Sequence, residues 1–293
     1  MTVTPTRISY VNGRYVRHNE AAVHIEDRGY QFADGVYEAI LMENHVLIDG
    51  KQHWTRLKRS LKELSIAMPC SVNTIESIIQ ELFRRNRMKS GTIYLQVTRG
   101  VAKRDHPFPK KPVPPALVIT ITPRKTPSEK ERTLGVHAIT HPDIRWLRRD
   151  IKTISLLPNV LAKQAAVEAG VREAWLYTDE GFFTEGSSTN IYIVDAKGVI
   201  HTHPANEMIL GGVTRDTMLK LAKKARIPVI EKPFTLADIK KAKEAFLTST
   251  TAFLLPVVKI DKITIGTGKP GKIASQLQEL YAKHVQALSN PKK

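Results

Sequence analysis

The chain has 293 residues, of which 42% are hydrophobic and 25% charged, so its composition is that of a folded globular protein and excludes the disordered and fibrous classes. Its single cysteine, Cys70, excludes an intrachain disulfide and a cysteine-based metal site, and it favours a reducing compartment such as the cytoplasm. The 45 lysines and arginines exceed the 28 acids and give a net charge of +17, but acids are interspersed among them, so we interpret them as a solvated surface rather than a nucleic-acid site.

Membrane insertion is not expected from the sequence. Residues 1–10 lack the apolar core of a signal peptide, and no later stretch approaches the roughly 20 apolar residues that are needed to span a bilayer.

The first half of the chain predicts a sheet with helices on one face. A hairpin is predicted over 8–16, because two β-rich runs flank Asn12-Gly13, a dipeptide that tolerates the positive φ angles of a tight turn. The order of the elements after it is typical of an α+β unit. The further predicted strands are 36–47, 92–98 and 116–122, and the predicted helices carry apolar residues at three- and four-residue spacing over 54–64 and 75–83.

The segment 123–132 is rich in proline, lysine and glutamate and lacks apolar periodicity, which predicts a linker. We therefore predict an N-terminal α/β domain over 1–122, a linker over 123–134 and a C-terminal domain over 135–293. In the second domain the predicted strands are 136–140, 174–178, 190–194 and 245–247, and the predicted helices are 160–169, 214–224, 236–244 and 272–287.

Lys152 lies in an otherwise apolar, extended run, where partial desolvation would lower the pKa of its amine and make it able to form a Schiff base. An outward-facing lysine on an edge strand would give the same local pattern. Glu185 lies in the segment 184–190 (TEGSSTN), between two predicted strands, where an acid could pair with a protonated ring nitrogen. A simple polar turn also fits that segment.

Two segments could bind a phosphate. The glycine turn Gly211-Gly212 leads into a helix with Thr214 at the predicted N-cap, so free N–H groups and the helix dipole point outward together. The segment 248–251 (TSTT) follows a strand and offers four hydroxyls. An ordinary capped helix and a hydroxyl-rich turn are the alternative interpretations.

Arg104 and His106 flank Asp105 in a loop, and an arginine can bind a substrate carboxylate through two parallel hydrogen bonds. Chance polar residues in a surface loop would look similar. No metal site is predicted, because His201 and His203 have no nearby cysteine or carboxylate pair. The remaining set of amine, acid, phosphate turn and carboxylate clamp matches what a pyridoxal-phosphate enzyme must supply.

Eight segments occur in the order of one known family. They are 26–38 (EDRGYQFADGVYE), 94–100 (YLQVTRG), 143–147 (DIRWL), 150–152 (DIK), 184–190 (TEGSSTN), 203–206 (HPAN), 212–216 (GVTRD) and 248–251 (TSTT). Together they resemble the fold-type IV pyridoxal-phosphate enzymes of the class IV aminotransferase family, over nearly the whole chain. The resemblance implies a two-domain α+β (α/β) fold with a smaller N-terminal α/β domain and a larger, cofactor-binding C-terminal pseudo-barrel domain.

The resemblance implies that Lys152 is the catalytic residue and carries pyridoxal 5′-phosphate, while Glu185 holds the pyridine nitrogen. It also implies that four residues bind the phosphate of the cofactor: Arg56, Val213, Thr214 and Thr250.

Tyr37, Arg104 and His106 match the family's trap for the substrate carboxylate, in which the arginine and the histidine come from the neighbouring subunit, so a homodimer is implied. The Arg-x-His spacing resembles the branch that acts on D-amino acids. The implied reaction is a ping-pong transfer from a D-amino acid such as D-alanine to a 2-oxo acid such as 2-oxoglutarate, giving pyruvate and D-glutamate.

Three departures from the family pattern stand out: Ala33 replaces the usual glycine, Gly211 precedes the phosphate turn, and Arg149 adds a charge near Lys152. Branched-chain L-aminotransferases and aminodeoxychorismate lyases share the lysine, the glutamate and the phosphate turn, and they stay open as alternatives. A basic nucleic-acid-binding protein is a remote alternative, which would lack a yellow chromophore.

Overall fold

The computed structural model describes residues 7–290, which form two compact units. The chain crosses between them more than once, because a short central segment and the last residues return to the first unit. The N-terminal unit comprises 7–125, 151–155 and 287–290, and the C-terminal unit comprises Thr126–Asp150 and Leu156–Gln286.

The domain limits 1–122, 123–134 and 135–293 stay a proposal, and their terminal residues 1–6 and 291–293 lie outside the described residues. Within the proposed linker the structure contains a helix, Glu129–Leu134, which begins with a capping box between Ser128 and Glu131. Local capping therefore produces a helix where apolar periodicity is absent.

The N-terminal unit contains an antiparallel six-stranded sheet with the order β2-β1-β6-β5-β3-β4. Its strands are β1 (Ile8–Val11), β2 (Arg14–Arg17), β3 (Gly35–Glu43), β4 (Val46–Leu47), β5 (Gly91–Thr98) and β6 (Ala116–Thr122). Its helices are α1 (Arg28–Phe32), α2 (Gly50–Glu63) and α3 (Val72–Arg85), with a short 3-10 turn at His18–Glu20.

The predicted hairpin is confirmed, with positive φ angles of 45° at Asn12 and 91° at Gly13. The prediction of one strand over 36–47 was wrong, because Asn44 and His45, with φ angles of 48° and 64°, turn the chain between β3 and β4. Asparagine and histidine are both enriched among residues with positive φ, so this pair was a sequence signal for the turn that the prediction did not use.

The two predicted helices of this unit are confirmed, and one buried cluster joins them to the sheet. Leu57 of α2 and Leu82 of α3 pack with Ile40 of β3 and Ile93 of β5, and all four are fully buried. Burial of each such side chain contributes about 1.5–3 kcal/mol relative to exposure. The helices therefore fix β3, which carries the candidate site residue Tyr37.

The C-terminal unit contains a ten-stranded mixed sheet with the order β12-β11-β10-β14-β15-β7-β8-β9-β13, and β16 pairs with β15. Its strands are β7 (Val136–Pro142), β8 (Glu173–Tyr177), β9 (Phe182–Gly186), β10 (Asn190–Val194), β11 (Ile200–Thr202), β12 (Val229–Glu231), β13 (Phe234–Thr235), β14 (Glu244–Ser249), β15 (Phe253–Ile260) and β16 (Ile263–Thr264). The helices that follow the N-terminal unit are α4 (Glu129–Leu134), α5 (Leu157–Glu168), α6 (Val213–Lys224), α7 (Leu236–Lys241) and α8 (Lys272–Ser289).

The four predicted strands and four predicted helices of this unit are present, although α7 ends at Lys241 and not at 244. The sequence prediction missed the strands β9, β11, β12, β13, β15 and β16, of which β15 is central to the sheet. Pro256 lies within β15 and cannot donate a backbone hydrogen bond, so the sequence does not favour a strand in that segment. Among the helices of residues 7–290, none is long and apolar enough to cross a membrane.

Candidate active site

Lys152 lies in the segment 151–155, which pairs along β3 inside the N-terminal unit. Thr153 forms an antiparallel bridge with Val36, and the Tyr37 N–H donates to the Lys152 carbonyl at 3.0 Å. This pairing agrees with the extended conformation predicted for the segment. The Lys152 side chain is partly buried, and its Nζ lies 4.0 Å from the centroid of the Tyr37 ring, within the range of a cation–π contact.

Tyr37 belongs to a polar group on the face of the sheet opposite the buried cluster. Its ring lies 5.5 Å from the ring of Tyr94 on β5, and the Tyr94 hydroxyl donates to Gln96 Oε1 at 2.7 Å. Burial raises the pKa of Tyr94 to about 12. The hydroxyl of Tyr94 therefore stays protonated and acts as a hydrogen-bond donor at neutral pH.

On the other face of β3, Glu38 is fully buried and holds Arg56 of α2. Arg56 donates from Nε to Glu38 Oε1 and from Nη2 to Oε2, each at 2.8 Å, and His53 Nδ1 lies 2.7 Å from Oε2. Burial alone would raise the pKa of Glu38, but the charge and hydrogen bonds of Arg56 and the contact with His53 outweigh it and lower the pKa to about 2. Burial lowers the pKa of His53, and the charges of Arg56 and Lys152 act in the same direction.

Arg56, which the resemblance assigns to a phosphate, is thus bound to Glu38 within the N-terminal unit. The sequence prediction gave no role to Glu38 or His53. The inward-facing positions of β3 are apolar apart from Glu38, and this lone acid was the available sequence signal.

Arg104 and His106 lie in an exposed loop, and both side chains contact the ring of Phe32. The guanidinium of Arg104 lies 4.8 Å from the centroid of the Phe32 ring, and the His106 ring lies 5.6 Å from it. The ring contacts that the structure gives for Tyr37 are instead with Tyr94 and Lys152. Arg104 and His106 are therefore brought together, whereas Tyr37 belongs to a different group.

Arg28 of α1 holds this loop by its backbone. It donates to the carbonyls of Asp105 at 2.6 Å, His106 at 3.2 Å and Pro107 at 3.3 Å, and from Nε to Asp34 Oδ2 at 2.8 Å. Three consecutive carbonyls are fixed by one buried guanidinium, so the loop that carries Arg104 is ordered from within the same unit.

In the C-terminal unit, Glu185 is a buried acid at the end of β9. Arg145 Nη1 donates to Oε1, Asn190 Nδ2 donates to Oε2 at 3.1 Å, and the Leu210 N–H is shared between both oxygens at 3.1 and 3.2 Å. Burial raises the pKa of Glu185, and Arg145 opposes this effect. A carboxylate has about four lone-pair sites, and these three donors make four contacts with it, two at each oxygen. The expectation that segment 184–190 lies between strands was wrong at its start, since Glu185 is in β9, whereas Asn190 begins β10 as predicted.

A network centred on Asp143 supports Glu185. Arg145 donates to both oxygens of Asp143 at 2.8 Å, the Thr184 hydroxyl donates to Oδ2 at 2.7 Å, and Arg149 Nε lies 3.1 Å from Oδ2. Burial would raise the pKa of Asp143, but these contacts outweigh it and lower the pKa. Arg149, noted as a departure from the family pattern, is thus a buried partner of Asp143. The segment 143–147 was quoted for the resemblance without a role for Asp143 or Arg145.

The turn before α6 differs by two residues from the prediction. Gly212 is the N-cap, whereas Thr214 is the second residue of the helix, so the assignment of Thr214 as N-cap was wrong. No side chain caps the first turn, and the first N–H groups of a helix have no partner within it. Gly212 lies so close to Asn190 that a Cβ at position 212 would overlap Asn190 Oδ1. The helix start is thereby joined to the residue that binds Glu185.

The hydroxyls of segment 248–251 do not act alike. The Thr248 hydroxyl pairs with the Tyr192 hydroxyl at 3.0 Å, and the Ser249 hydroxyl accepts from the Ala252 N–H at 3.1 Å. Thr250 lies in the turn after β14, and its hydroxyl makes no hydrogen bond within residues 7–290. Two of the four hydroxyls of this segment are thus engaged in structural contacts.

In a comparison with known protein families, residues 35–260 match the sequence model described as Amino-transferase class IV. The chain is 44% identical over 267 residues to a D-alanine aminotransferase of Bacillus licheniformis, and the alignment covers 91% of this chain and 93% of that protein. It is 40% identical over 280 residues to a D-alanine aminotransferase of Staphylococcus epidermidis, with coverage of 96% and 98%.

Solved structures give a consistent fold. A branched-chain amino acid aminotransferase of T.th., solved with pyridoxamine 5′-phosphate, has a TM-score of 0.87 at 27% identity and covers 98% of this chain and 95% of its own. The branched-chain amino acid aminotransferase of Escherichia coli has a TM-score of 0.87 at 23% identity, with coverage of 95% and 94%. These likenesses confirm the fold class predicted from the sequence.

Proposed function

The chain belongs to the class IV aminotransferases, and on this basis we propose that it transfers the amino group of a D-amino acid, such as D-alanine, to a 2-oxo acid, such as 2-oxoglutarate. The products of that pair are pyruvate and D-glutamate, formed in a ping-pong reaction. The observation that carries the proposal is the identity of 40–44% to D-alanine aminotransferases, which extends over at least 91% of the chain.

The cofactor is pyridoxal 5′-phosphate. When bound, it supplies a carbonyl for a Schiff base and an electron-accepting ring that stabilises negative charge at the α-carbon of the substrate. The side chains of this chain fit such a group, since Lys152 offers an amine, Glu185 is a buried acid that could pair with a protonated ring nitrogen, and the first turn of α6 has no side-chain cap.

Lys152 is the catalytic residue in this proposal. Its Nζ removes the proton from the substrate α-carbon and returns a proton later in the same half-reaction, so one amine acts first as base and then as acid. The backbone bond from Tyr37 and the ring of Tyr37, 4.0 Å from Nζ, support the position of this amine.

Glu185 would hold a proton at the ring nitrogen of the cofactor with its carboxylate. Arg145, Asn190 and Leu210 already orient the carboxylate, so the charge is in place before the reaction begins. Such preorganised charge costs no rearrangement when negative charge develops on the substrate.

The phosphate is assigned to Arg56, Val213, Thr214 and Thr250. The uncapped N–H groups at Val213 and Thr214, and the Thr250 hydroxyl, support this assignment in the C-terminal unit. Arg56 stays bonded to Glu38 through its Nε and Nη2 groups. The positive charge of its guanidinium also attracts the phosphate anion.

Tyr37, Arg104 and His106 bind the substrate carboxylate, with Arg104 and His106 supplied by the partner subunit of a homodimer. Because the carboxylate is held on one side, a D-amino acid presents its α-hydrogen to Lys152, whereas an L-amino acid held in the same way does not. The exposure of the Arg104 loop, together with its fixation by Arg28, supports a contact with a second copy.

The predicted cytoplasmic location and partners belong to the same proposal. The single cysteine favours a reducing compartment, and the partners are D-amino acids, 2-oxo acids and a second copy of the chain rather than nucleic acid or a membrane.

A second candidate is the transamination of branched-chain L-amino acids, which the likeness to the T.th. enzyme favours. The identity to that enzyme is 27%, below the 40–44% to the D-alanine aminotransferases. We therefore place it second.

The visible absorption of the purified yellow holoenzyme, titrated separately with D-alanine, L-alanine and L-leucine, tests the proposal. D-alanine should convert the carbonyl form of the cofactor to the amino form, and the L-isomers should not. Conversion by L-leucine but by no D-amino acid would support the second candidate instead. Protein without a yellow chromophore would contradict both.

A further inference from the structure

A cavity of about 270 Å³ lies inside the N-terminal unit, between the end of α2 and a proline-rich segment after β5. Ser65, Ile66 and Ala67 form one wall, Arg99 lies at the base, and segment 108–113 forms the opposite wall. None of these residues has a role in the proposed function.

Arg99 is buried and has more donors than the surrounding chain uses. Its Nε and Nη2 donate to the two oxygens of Asp34, Nη2 also donates to the Leu64 carbonyl, and Nη1 donates to the Ser65 carbonyl. These are four hydrogen bonds, whereas a guanidinium has five N–H groups. Within residues 7–290, one N–H of Nη1 therefore has no acceptor.

The charge at the base of the cavity is also incompletely balanced. Asp34 is shared by Arg99 and Arg28, whose side chains are 9% and 4% exposed, so one carboxylate faces two buried guanidinium groups. The remaining partners of both arginines are neutral carbonyls. A buried excess of positive charge is costly unless an anion approaches it.

The opposite wall adds cations and rigidity. Lys110 and Lys111 line the cavity, and no acidic residue does. Phe108 lies over Arg99, with the guanidinium 3.6 Å from its ring centroid, and Pro109 and Pro112 restrict the backbone. The cavity is therefore preformed, cationic and partly apolar.

We propose that this cavity binds a small oxyanion, a phosphate or a carboxylate group, through the remaining N–H of Arg99 and the amines of Lys110 and Lys111. Its volume of about 270 Å³ lies slightly below the roughly 300 Å³ at which small-molecule sites start, so it fits a compact anion rather than a nucleotide. The site is independent of the proposed transamination.

Titration calorimetry of the holoenzyme at low ionic strength, with inorganic phosphate and separately with malonate, tests the site and separates the two chemistries. One site per chain is expected for at least one of these anions. The double variant Lys110→Ala/Lys111→Ala should weaken binding about fivefold, since each exposed ammonium contributes modestly. Ala67→Trp, at an exposed wall position, should abolish binding by filling the cavity.

Two matched variants serve as controls. Lys223→Ala/Lys224→Ala removes the same charge from the exposed end of α6, and Ala169→Trp adds the same ring at an exposed position after α5. Both should bind the anion as the unmodified protein does. The proposal is overturned if neither anion binds, or if the lysine control loses affinity as much as the cavity variant does.

Selenate soaked into crystals of the holoenzyme locates the site directly, because selenium scatters anomalously. An anomalous peak within hydrogen-bond distance of Arg99 Nη1 supports the proposal. Peaks at other positions, with none in the cavity, contradict it.

Discussion

Arg56 binds Glu38 through two parallel hydrogen bonds, each 2.8 Å long, in a position where the Glu38 side chain is fully buried and that of Arg56 is 10% exposed. The carboxylate also bonds to His53, so two side chains depend on one negative charge. The pair links α2 to β3 beside the strand segment that holds Lys152.

Replacing Glu38 by glutamine should lower the free energy of unfolding at pH 7 by about 3 kcal/mol, because Arg56 would then be a buried charge without its partner. The folded-state pKa of Glu38, about 2, lies below its ordinary value of 4.5. The stabilisation from this group is therefore complete above about pH 4.5 and is lost as the pH falls toward 2. Urea unfolding between pH 3 and 7 should show a flatter pH dependence for Glu38→Gln.

Glu81→Gln is the control for that experiment. Glu81 also pairs with arginines, Arg84 and Arg85, but it lies on the exposed surface of α3, where solvent screens the pairs. A loss of stability as large as that of Glu38→Gln would refute the distinction between the two sites.

Lys152→Ala should abolish transamination of D-alanine, because no other amine would remain to take the α-proton. The measurement is steady-state turnover with D-alanine and 2-oxoglutarate. Lys58→Ala, an exposed lysine of α2, should leave turnover unchanged. Turnover of the Lys152 variant at more than a trace of the original rate would disprove its assignment as the base.

Glu185→Gln should reduce kcat about 100-fold with a smaller effect on KM, because a neutral amide no longer stabilises the proton at the ring nitrogen. Glu180→Gln, in the exposed turn between β8 and β9, is the matched control. If Glu185→Gln kept kcat within twofold, the proposed role of this acid would have to be abandoned.

Mixing two inactive variants tests whether Arg104 acts on the partner subunit. In a dimer of Lys152→Ala and Arg104→Ala chains, one site contains both intact residues only if the arginine is supplied by the other chain. A 1:1 mixture reassembled from dissociated chains should regain roughly a quarter of the original activity, because half of the dimers are mixed and each has one complete site. Activity that stays at the level of the separate variants would place Arg104 in the site of its own chain.

Gly212→Ala should weaken the binding of pyridoxal 5′-phosphate about tenfold, because the added Cβ overlaps Asn190 Oδ1 and displaces the residue that orients Glu185. Gly211→Ala is the control, since its Cβ would be 3.9 Å from the nearest atom, the Cβ of Ala205. Equal affinities of the two variants, measured by fluorescence titration, would contradict the proposed coupling between Gly212 and Glu185.

The helices were predictable because their apolar spacing directly reflects burial. Leu57 and Leu61 recur at the helical period and are both buried, and the Asn12-Gly13 hairpin follows from backbone preference alone. These are local properties, which a single sequence contains.

The contacts of the site residues were not predictable, because they depend on which residues face each other. Glu38 is 15 positions from His53 and 18 from Arg56, and only the packing of α2 on β3 brings the three together. Asp143 and Thr184 likewise meet across 41 positions. Lys152 and Glu185 were identified by resemblance to a family, whereas their partners became visible only in the structure.

Ala33 shows the same limit in a single residue. It ends α1 with φ of 55° and ψ of 29°, a left-handed conformation in which glycine is unstrained. The sequence shows only that alanine replaces the usual glycine. The structure shows that this alanine adopts a left-handed backbone conformation, which costs free energy at the end of α1.

The return of the chain to the N-terminal unit at 151–155 sets an order for biosynthesis. When the ribosome has made residues 7–125, β3 still lacks the partner that bonds to Gly35 and Tyr37. At roughly 5–20 residues per second, the residues up to 155 need roughly two to six seconds more. During that time an unpaired strand edge is open to wrong pairing. The strand segment that closes this edge is the one that delivers Lys152, so the nascent chain gains its reactive amine and protects its sheet in the same step.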